Sequence, residues 1–417
     1  MYALVDINNF YVSCERIFNP TLRNRPVVVL SNNDGCVISR SNEAKKAGIP
    51  MGAPTFKYKE KFQELGIQVF SSNYALYGDM SNRVYRILQN YTPDLEVYSI
   101  DECFLNLHDF SMHSLGEYGK KIRQEILQKT LLPTCVGIAP TKALAKVANH
   151  IAKKFPELKG VYIIDTDEKR VKALKWLNIE DVWGIGRQMS KKLKANGIHK
   201  ASQFIELPDE YVRKQFSVVG LRLKKELEGI SVLGLEEIQA KKHIATTRSF
   251  DTTYTDKEYI KERITTFAVT CAQKLHKQKS TCQVVTVFIY TNRFNEKQDQ
   301  YSRSINVSMP YPTNSDIELA KCAQKGLDLI FKQGYHYKKA GVIVGGIAPE
   351  HGKQFVLFEE EPVKHRTLMQ TIDRLNSKYG TKKLKLASQA LDKTWKMNQE
   401  HLSPNYTTKW NEILEIR

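Results

Sequence analysis

The chain has 417 residues, with 63 Lys and Arg against 45 Asp and Glu, a formal net charge of +18. A chain of that length is too long to fold around a single hydrophobic core, which predicts about two to four domains. The basic surplus favours a polyanionic partner, and nucleic acid fits better than a membrane because the sequence has neither a secretory signal nor an apolar run long enough to span a bilayer. The seven cysteines form no C-x-x-C pair, which argues against a zinc ribbon or a disulfide framework and favours reduced thiols in the cytoplasm.

Four regions follow one another along the chain. Residues 1–165 alternate short apolar runs with amphipathic stretches, as an α/β or α+β domain does. Residues 166–240 have the pattern of short helices with a strong excess of basic residues, and 243–346 predict a second α+β domain. After residue 346 the chain becomes more polar, with isolated apolar clusters.

Three carboxylates follow short apolar runs that have the character of core strands. Asp6 ends the run 2–5, and Asp101 and Glu102 lie between the runs 96–99 and 103–107. Acids at the ends of core strands are costly to desolvate unless they are paired or bind cations, and three that converge can hold two Mg²⁺ ions ~3.5–4 Å apart for phosphoryl transfer. Neighbouring side chains of an ideal strand point to opposite faces, so Asp101 and Glu102 share one site only at the turn of a hairpin. The alternative is a solvated turn.

Two aromatic residues, Phe10 and Tyr11, follow Asp6 closely. If Asp6 holds a metal ion over a nucleoside triphosphate, a ring at this position can lie under the sugar. It would then clash with a ribose 2′-hydroxyl and select deoxynucleotides. The alternative is that both rings simply pack into the core, which is the commoner outcome for an isolated aromatic pair.

A helix–hairpin–helix is predicted within residues 182–198. Gly184 and Gly186 precede a basic stretch that contains Arg187, Lys191 and Lys192. Two glycines let the backbone approach phosphate closely, and a helix N-terminus binds anions, so the contact would not depend on DNA sequence. The alternative is an ordinary helical turn with a solvated basic face.

Four lysines of the first region, Lys45, Lys142, Lys146 and Lys153, are candidates to bind a triphosphate. Lys146 and Lys153 are seven residues apart and share a helix face, although a solvated amphipathic face explains them equally well. Further along, the apolar segment 354–358 (QFVLF) lies in a polar, acidic context. It resembles the bacterial clamp-binding pentapeptide, with Gln354 first and Leu357-Phe358 last; a strand packed on its own domain is the alternative.

Together these features resemble the Y-family translesion DNA polymerases of the UmuC type, the catalytic subunit of bacterial DNA polymerase V, over essentially the whole chain. The motifs that carry the resemblance are, in chain order, Val5-Asp6 with Phe10-Tyr11, 31–36 (SNNDGC), 70–74 (FSSNY), 79–83 (DMSNR), 99–102 (SIDE), 137–139 (GIA), 141–142 (TK), 144–146 (LAK), 402–404 (LSP) and 406–408 (YTT). The last two lie outside the common Y-family core and are typical of UmuC-type chains.

The resemblance implies an α+β multidomain fold shaped like a right hand. The implied domains are an α/β palm at 1–20 and 73–165, small fingers at 21–72, a helical thumb with the helix–hairpin–helix at 166–240, an α+β little finger at 243–346, and a UmuC-type tail with the clamp-binding motif at 347–417.

Site roles carry over residue by residue. Asp6, Asp101 and Glu102 become catalytic and hold two Mg²⁺ ions, with the Ile7 carbonyl as a further ligand. Tyr11 becomes the steric gate against ribonucleotides with Phe10 packed beside it, and Lys153 binds the triphosphate. Two further sets are implied: Asn42 and Lys45 toward the triphosphate, and Gly184, Gly186, Arg187, Lys191, Lys192 and Arg248 toward DNA.

One departure from the family pattern concerns the fingers helix. Many Y-family enzymes have a tyrosine and an arginine where this chain has Asn42 and Lys45. Lysine supplies a point charge but not the bidentate fork of arginine, so the grip on the triphosphate is expected to differ.

The implied function is error-prone, template-directed translesion DNA synthesis in the SOS response. The implied partners are primed and damaged DNA, dNTP, the sliding clamp, a processed UmuD-type dimer and RecA, in the cytoplasm at the nucleoid and without a membrane partner. The alternative is a non-catalytic DNA- and clamp-binding regulator that slows replication, and the intact Asp6, Asp101 and Glu102 argue against it.

Overall fold

The computed structural model describes residues 1–108, 110, 114–237, 239–352, 363–380, 383–389 and 397–415. The chain forms two compact units, one of Met1–Glu237 with Met397–Arg417 and one of Ile238–Lys396. The region 347–417, predicted as one tail, is therefore divided between the two units. All seven cysteines are free thiols, and no described helix is long and apolar enough to cross a membrane.

The first unit contains two sheets and the helices that cover them. Its strands are β1 (Tyr2–Ile7), β2 (Val27–Leu30), β3 (Val37–Arg40), β4 (Gln68–Ser71), β5 (Leu95–Val97), β6 (Glu102–Asn106), β7 (Thr134–Ala139) and β8 (Val161–Ile163). Its helices are α1 (Phe10–Phe18), α2 (Asn42–Lys46), α3 (Thr55–Glu64), α4 (Tyr74–Leu88), α5 (Leu115–Thr130), α6 (Lys142–Lys154), α7 (Asp167–Trp176), α8 (Arg187–Ala195), α9 (Ala201–Ile205) and α10 (Asp209–Glu228).

The larger sheet has the strand order β5-β6-β1-β7-β8. Its central strand β1 is buried on both faces, and its side chains alternate between two cores. Ala3, Val5 and Ile7 face one core, whereas Tyr2 and Leu4 face the core that contains the apolar side of α6. Since side chains of a strand alternate, Asp6 shares the face of Tyr2 and Leu4, toward α6.

Helix α6 lies very close to the sheet because Gly137 of β7 has no side chain. A Cβ atom at Gly137 would lie 2.1 Å from the backbone nitrogen of Asn149 in α6. In the same contact the Asn149 side-chain amide donates to the carbonyl oxygen of Cys135 (2.9 Å). This close approach brings the lysines of α6 to the end of β1.

The smaller sheet of the first unit has the order β3-β2-β4, with β2 and β4 parallel. It packs with α2 and α3 around its own small apolar core. Helix α2 begins after Ser41, whose hydroxyl accepts a hydrogen bond from the Ala44 backbone (3.1 Å) and so caps the helix.

The second unit is a four-stranded antiparallel sheet with helices. Its elements are β9 (Ile244–Tyr254), α11 (Lys257–Gln278), β10 (Ser280–Thr291), β11 (Ser302–Thr313), α12 (Asp316–Ile330), β12 (Tyr337–Gly345), β13 (Ala348–Pro349) and α13 (Val363–Tyr379). The strand order is β11-β10-β12-β9, with β13 paired to β10. Helices α11 and α12 pack on this sheet in one continuous apolar core.

Candidate active site

The three carboxylates of the sequence pattern come together at one end of the larger sheet. Asp6 of β1 lies opposite Glu102 of β6 in the antiparallel register. The next residue, Ile7, donates its backbone N–H to the carbonyl oxygen of Asp101 (2.9 Å). Strands β5 and β6 pair antiparallel, and the N–H groups of Tyr98 and Ser99 both reach the Glu102 carbonyl at 3.1 Å. The predicted hairpin is therefore confirmed, with Asp101 in its turn and Glu102 as the first residue of β6.

Hydrogen bonds from helix α4 fix the shape of this turn. The hydroxyl of Ser81 donates to the Ile100 carbonyl (2.6 Å), and the hydroxyl of Tyr85 donates to the Ser99 carbonyl. Within the turn the Ser99 hydroxyl donates to the Asp101 carboxylate (2.6 Å). The orientation of Asp101 is thus set by its own turn before any ligand binds.

Two lysines of α6 neutralise the other two carboxylates. Lys153 Nζ lies 2.6 Å from Asp6 Oδ2, and Lys146 Nζ lies 2.8 and 2.9 Å from the two oxygens of Glu102. Burial raises the pKa of Asp6 to about 7; the Lys153 charge opposes the rise, and the charges of Glu102 and Asp101 add to it. The predicted common face of Lys146 and Lys153 is confirmed, and both ammonium groups contact the carboxylates, with Lys146 largely buried and Lys153 partly exposed to solvent.

Lys142, the first residue of α6, has a different environment from the one expected. It is buried, and its ammonium pairs with Glu96 (2.7 Å) and reaches the Gly234 carbonyl (3.2 Å). A buried ion pair with both partners satisfied is a structural contact, so Lys142 is not available to a triphosphate.

The oxygen atoms of this site can be compared with those that metal ions prefer. In the described part of the chain, no three His, Cys, Asp or Glu side chains stand grouped as a metal site. Each carboxylate here is instead turned toward its own lysine or serine partner. The chemistry of the donors nevertheless fits Mg²⁺, which prefers hard carboxylate and carbonyl oxygens, and Asp6, Asp101, Glu102 and the Ile7 carbonyl supply these at the end of one sheet.

A positively charged cluster lies beside Asp6. The Asn9 side chain joins two predicted residues of α2: its amide donates to Asn42 (3.1 Å), and its oxygen accepts from Lys45 (2.6 Å). Burial lowers the pKa of Lys45, and the neighbouring charges of Arg40 and Lys153 lower it further. Lys45 and Lys153 beside a buried carboxylate make a site that suits a polyphosphate.

Tyr11 lies at the rim of the same site. Its ring stacks on Tyr77 of α4 at a centroid distance of 4.4 Å and meets Tyr74 edge-on at 6.1 Å. Burial raises the pKa of Tyr11 to about 12, with smaller contributions from Tyr74 and Asp101. Phe10 is only 3% exposed, so it packs behind Tyr11 and offers no surface to a ligand.

The predicted helix–hairpin–helix residues form an exposed turn and helix. A 3-10 turn, Ile179–Asp181, precedes the glycine turn, and Gly186 is the residue that caps the N-terminus of α8. Gly184 has a φ of +88°, a conformation that glycine adopts without strain. Arg187, Lys191 and Lys192 are exposed on α8, and the Lys192 ammonium donates to Gln215 (2.6 Å).

The remaining predicted sites lie elsewhere. Arg248 is an exposed residue of β9 in the second unit, opposite Ala340 of β12. The clamp-binding residues Gln354, Leu357 and Phe358 lie outside the described residues. The structure thus brings together the carboxylates, the triphosphate candidates Asn42, Lys45 and Lys153, and Tyr11.

Four residues of the site were missed by the sequence pattern. Asn9 binds Asn42 and Lys45, and Arg40 lies near Lys45 with its guanidinium on the Ile49 carbonyl (2.6 Å). Tyr98 and Trp183 enclose the Lys146 ammonium, which lies 4.3 and 5.5 Å from their ring centroids. Trp183 also donates its indole N–H to the Tyr98 hydroxyl (3.0 Å), which joins the glycine turn to the carboxylate hairpin. The position of Asn9 between Asp6 and Tyr11 in the sequence could have indicated that it lies in the site. The contacts of the other three residues depend on tertiary packing.

Known proteins are similar to this sequence along its entire length. The impB/mucB/samB family model matches residues 5–150, its C-terminal domain matches 241–357, and a domain of unknown function (DUF4113) matches 366–416. The protein UmuC of Salmonella typhimurium is 42% identical over 422 residues, which is 100% of both chains. DNA polymerase IV 1 of Bacillus subtilis is 28% identical, covering 91% of this chain and 90% of its own.

Solved structures agree on the fold. A Y-family DNA polymerase chimera of Dbh and Dpo4 superimposes with a TM-score of 0.68 at 22% identity, covering 84% of this chain and 99% of its own. The fold is therefore the α+β multidomain fold of these polymerases. The 42% identity to UmuC over the whole length of both chains shows which relatives the sequence groups with. The chain therefore belongs to the impB/mucB/samB family, together with the protein UmuC, and has the fold of the Y-family DNA polymerases.

Proposed function

We propose that this chain copies damaged DNA by adding deoxynucleotides to a primer, with low fidelity. The observation that supports this most is the meeting of Asp6, Asp101 and Glu102 with the cations Lys45 and Lys153 at one end of the larger sheet. In nucleotidyl transfer, a primer 3′-hydroxyl attacks the α-phosphate of a dNTP and pyrophosphate leaves. The carboxylates would hold the metal ions for this reaction, and the neighbouring lysines would bind the triphosphate.

Asp6, Asp101 and Glu102, with the Ile7 carbonyl, would hold divalent metal, and Mg²⁺ suits these ligands best. When bound, the ions supply neutralisation of the triphosphate charge and activation of the primer hydroxyl. The protein's own part is to fix the carboxylates: the α4 contacts hold the turn of Asp101, and the β1–β6 register holds Asp6 against Glu102.

The cations and Tyr11 position the nucleotide. Lys153 and Lys45 would bind the triphosphate, and Asn9 holds Lys45 toward the site (2.6 Å). The ring of Tyr11 would lie under the sugar, where it leaves no room for a 2′-hydroxyl. The small fingers around β2–β4 would press little on the nascent pair, which would admit distorted templates at the expense of fidelity.

The test is primer extension with a metal-ligand variant. Asp101→Asn keeps the size of the side chain and removes the charge, so incorporation should fall to background while binding to primed DNA stays near wild type. Asp165→Asn, which removes an acid from an exposed pair with Lys169, is the matched control and should extend primers normally. Full extension by a folded Asp101→Asn protein would contradict the metal assignment and favour a non-catalytic regulator.

The partners are a further part of the proposal. We expect the segment 354–358 to bind the sliding clamp, and a processed UmuD-type dimer and RecA to support synthesis at the nucleoid. Primer extension on a damaged template, with each partner added or omitted in turn, measures the dependence. If lesion bypass is as efficient with all of the partners omitted as with all of them present, the partner assignment is contradicted, whereas the catalytic assignment is unaffected.

A further inference from the structure

The C-terminal segment 397–408 lies along the first unit, and we call it the strap. Its backbone pairs with the edge of the smaller sheet: Ser71 N–H donates to the His401 carbonyl (2.9 Å), and His401 N–H donates to the Ser71 hydroxyl (3.0 Å). At its far end, Tyr406 stacks on Phe18 of α1 with centroids 4.7 Å apart. The strap falls within the match to a domain of unknown function.

The start of the strap completes a turn that otherwise has an unusual backbone. Asn33 and Asp34, between β2 and β3, have φ values of +58° and +50°, a conformation that is costly without compensating contacts. Their side chains accept hydrogen bonds from the strap backbone, Asn33 from Asn398 N–H (3.1 Å) and Asp34 from Glu400 N–H (2.8 Å). The turn and the strap therefore stabilise each other.

Ser403 lies at the centre of the strap and is 5% exposed. The Asn73 amide donates to both the carbonyl and the hydroxyl oxygen of Ser403 (3.1 Å each), while the Asn73 oxygen caps α4 by accepting from Leu76 N–H (3.1 Å). A serine hydroxyl has one proton to donate, and here it goes to Glu15 Oε1 of α1 (3.0 Å).

Glu15 connects Ser403 to the aromatic stack of the active site. The hydroxyl of Tyr77 donates to the same oxygen, Glu15 Oε1 (2.6 Å), and both Glu15 and Tyr77 are buried. The Tyr77 ring in turn stacks on the Tyr11 ring, and the two ring planes are only 15° from parallel. A continuous set of contacts thus runs from Ser403 through Glu15 and Tyr77 to Tyr11.

We propose that the strap tunes the discrimination against ribonucleotides, with Ser403 as a positioning residue that fixes the Tyr11 ring through Glu15 and Tyr77. The inference rests on the gate role of Tyr11 in the proposed function. Without the Ser403 hydroxyl, a buried carboxylate oxygen loses one of its two donors, and the Tyr77 ring is held less firmly. A gate ring with more freedom excludes a 2′-hydroxyl less well, while the carboxylates that carry the chemistry are untouched.

The experiment compares kcat/KM for rNTP with kcat/KM for dNTP in the full-length protein. Ser403→Ala should raise the rNTP/dNTP ratio by about fivefold, the effect of losing one hydrogen bond of ordinary net strength, chiefly through rNTP use. Thr408→Ala removes a hydroxyl from an exposed strap residue that takes no part in the Glu15 contacts, and it should leave the ratio unchanged. Tyr11→Ala is the reference for complete loss of the gate.

A double-mutant cycle separates positioning from general loosening. Tyr77→Phe keeps the stacked ring but removes the hydroxyl that reaches Glu15, so it should raise the ratio as well. If both residues act through Glu15, Ser403→Ala combined with Tyr77→Phe should raise the ratio less than the product of the single effects. If the effect of the double variant equals the product of the two single effects, Ser403 and Tyr77 act independently, and the inference is overturned.

The failures can be told apart. An unchanged ratio in Tyr11→Ala would remove the gate from the proposed function, and the inference with it. A raised ratio in Tyr11→Ala with a wild-type ratio in folded Ser403→Ala would overturn the strap inference alone. If Ser403→Ala does not fold, Tyr406→Leu decides instead, because it loosens the strap at Phe18: a raised ratio supports the inference, and an unchanged ratio overturns it.

Discussion

Glu15 is a buried acid whose ionisation opposes folding. Burial raises its pKa from the ordinary 4.5 to about 7, although the hydrogen bonds from Tyr77 and Ser403 act in the opposite direction. The native state therefore holds a proton that the unfolded chain releases between these two values. The stability that this carboxyl contributes is complete below about pH 4.5, falls as the pH rises to about 7, and is lost above it.

Glu15→Gln should remove this loss, because the amide oxygen still accepts from Tyr77 and Ser403 and never ionises. We expect the variant to gain stability relative to wild type on going from pH 5 to pH 8, by at most on the order of 3 kcal/mol. Thermal unfolding at a series of pH values in metal-free buffer measures this. A difference between the two proteins that does not change with pH would show that Glu15 titrates normally.

Tyr11 is held by stacking rather than by hydrogen bonds, so its removal should alter selectivity more than catalysis. Tyr11→Ala is expected to raise the rNTP/dNTP ratio of kcat/KM, since the ring is lost from under the sugar and no new attraction is needed. Tyr379→Ala removes an exposed tyrosine of the second unit and serves as the control. A ratio equal to that of the control would mean that Tyr11 only packs against Tyr77.

At the level of elements, local patterns predicted what local geometry decides. The apolar runs around Asp101-Glu102 predicted a hairpin because two strands that flank a tight turn have few other arrangements, and β5 and β6 confirm it. The first strand proved shorter, ending at Val97 rather than Ser99, because Tyr98 and Ser99 fold into the turn by bonding to Glu102. The lysine partners of Asp6 and Glu102 were not predictable, since they depend on how closely α6 packs on Gly137.

The glycine turn before α8 offers a test of backbone contact with DNA. A side chain at Gly186 would meet no atom within 4 Å and its φ is ordinary, whereas Gly184 has a φ of +88° that strains any other residue. Gly186→Val should therefore fold normally and still block the approach of a phosphate to the N-terminus of α8. We expect weaker binding of every DNA sequence alike, measured by fluorescence anisotropy on two unrelated duplexes.

Salt dependence gives the same prediction a second readout. Log Kd on duplex DNA should change with log salt by about 0.9 for each phosphate contact, so Gly186→Val should show a shallower dependence than wild type if phosphate neutralisation by α8 is lost with it. Weaker binding of only one of the two duplexes would contradict a contact that is confined to the backbone.

For the whole molecule, the contacts of the strap show why the sequence does not predict where the end of the chain packs. The strap meets Ser71 across 330 residues of sequence, and no local pattern reports a contact of that separation. The motif 402–404 was singled out only by resemblance; its contacts with Asn73 and Glu15 emerged from the packed structure. The carboxylates, in contrast, are predictable from the sequence because the apolar runs beside them indicate their strands and turn.

The same tail carries a predicted tether to the replication machinery. The segment 354–358 ends in Leu357 and Phe358, and two apolar anchors in a pocket can dominate a small interface, each worth on the order of 2 kcal/mol. Leu357→Ala with Phe358→Ala should therefore abolish binding to the sliding clamp and the clamp-stimulated part of synthesis. Basal extension of a short primed template should persist, since the segment contains none of the carboxylates Asp6, Asp101 and Glu102, which lie in the first unit.

A control must show that the loss is specific to these anchors. Phe294→Ala removes an aromatic side chain of the second unit that is 82% exposed, and it should leave clamp binding intact. Surface plasmon resonance against immobilised clamp measures affinity, and primer extension with and without clamp measures stimulation. Because tethering raises the effective concentration of polymerase at the primer end without any new catalytic contact, both readouts should fall together in the double variant. Clamp binding at wild-type affinity in that variant would assign the segment to packing within the tail.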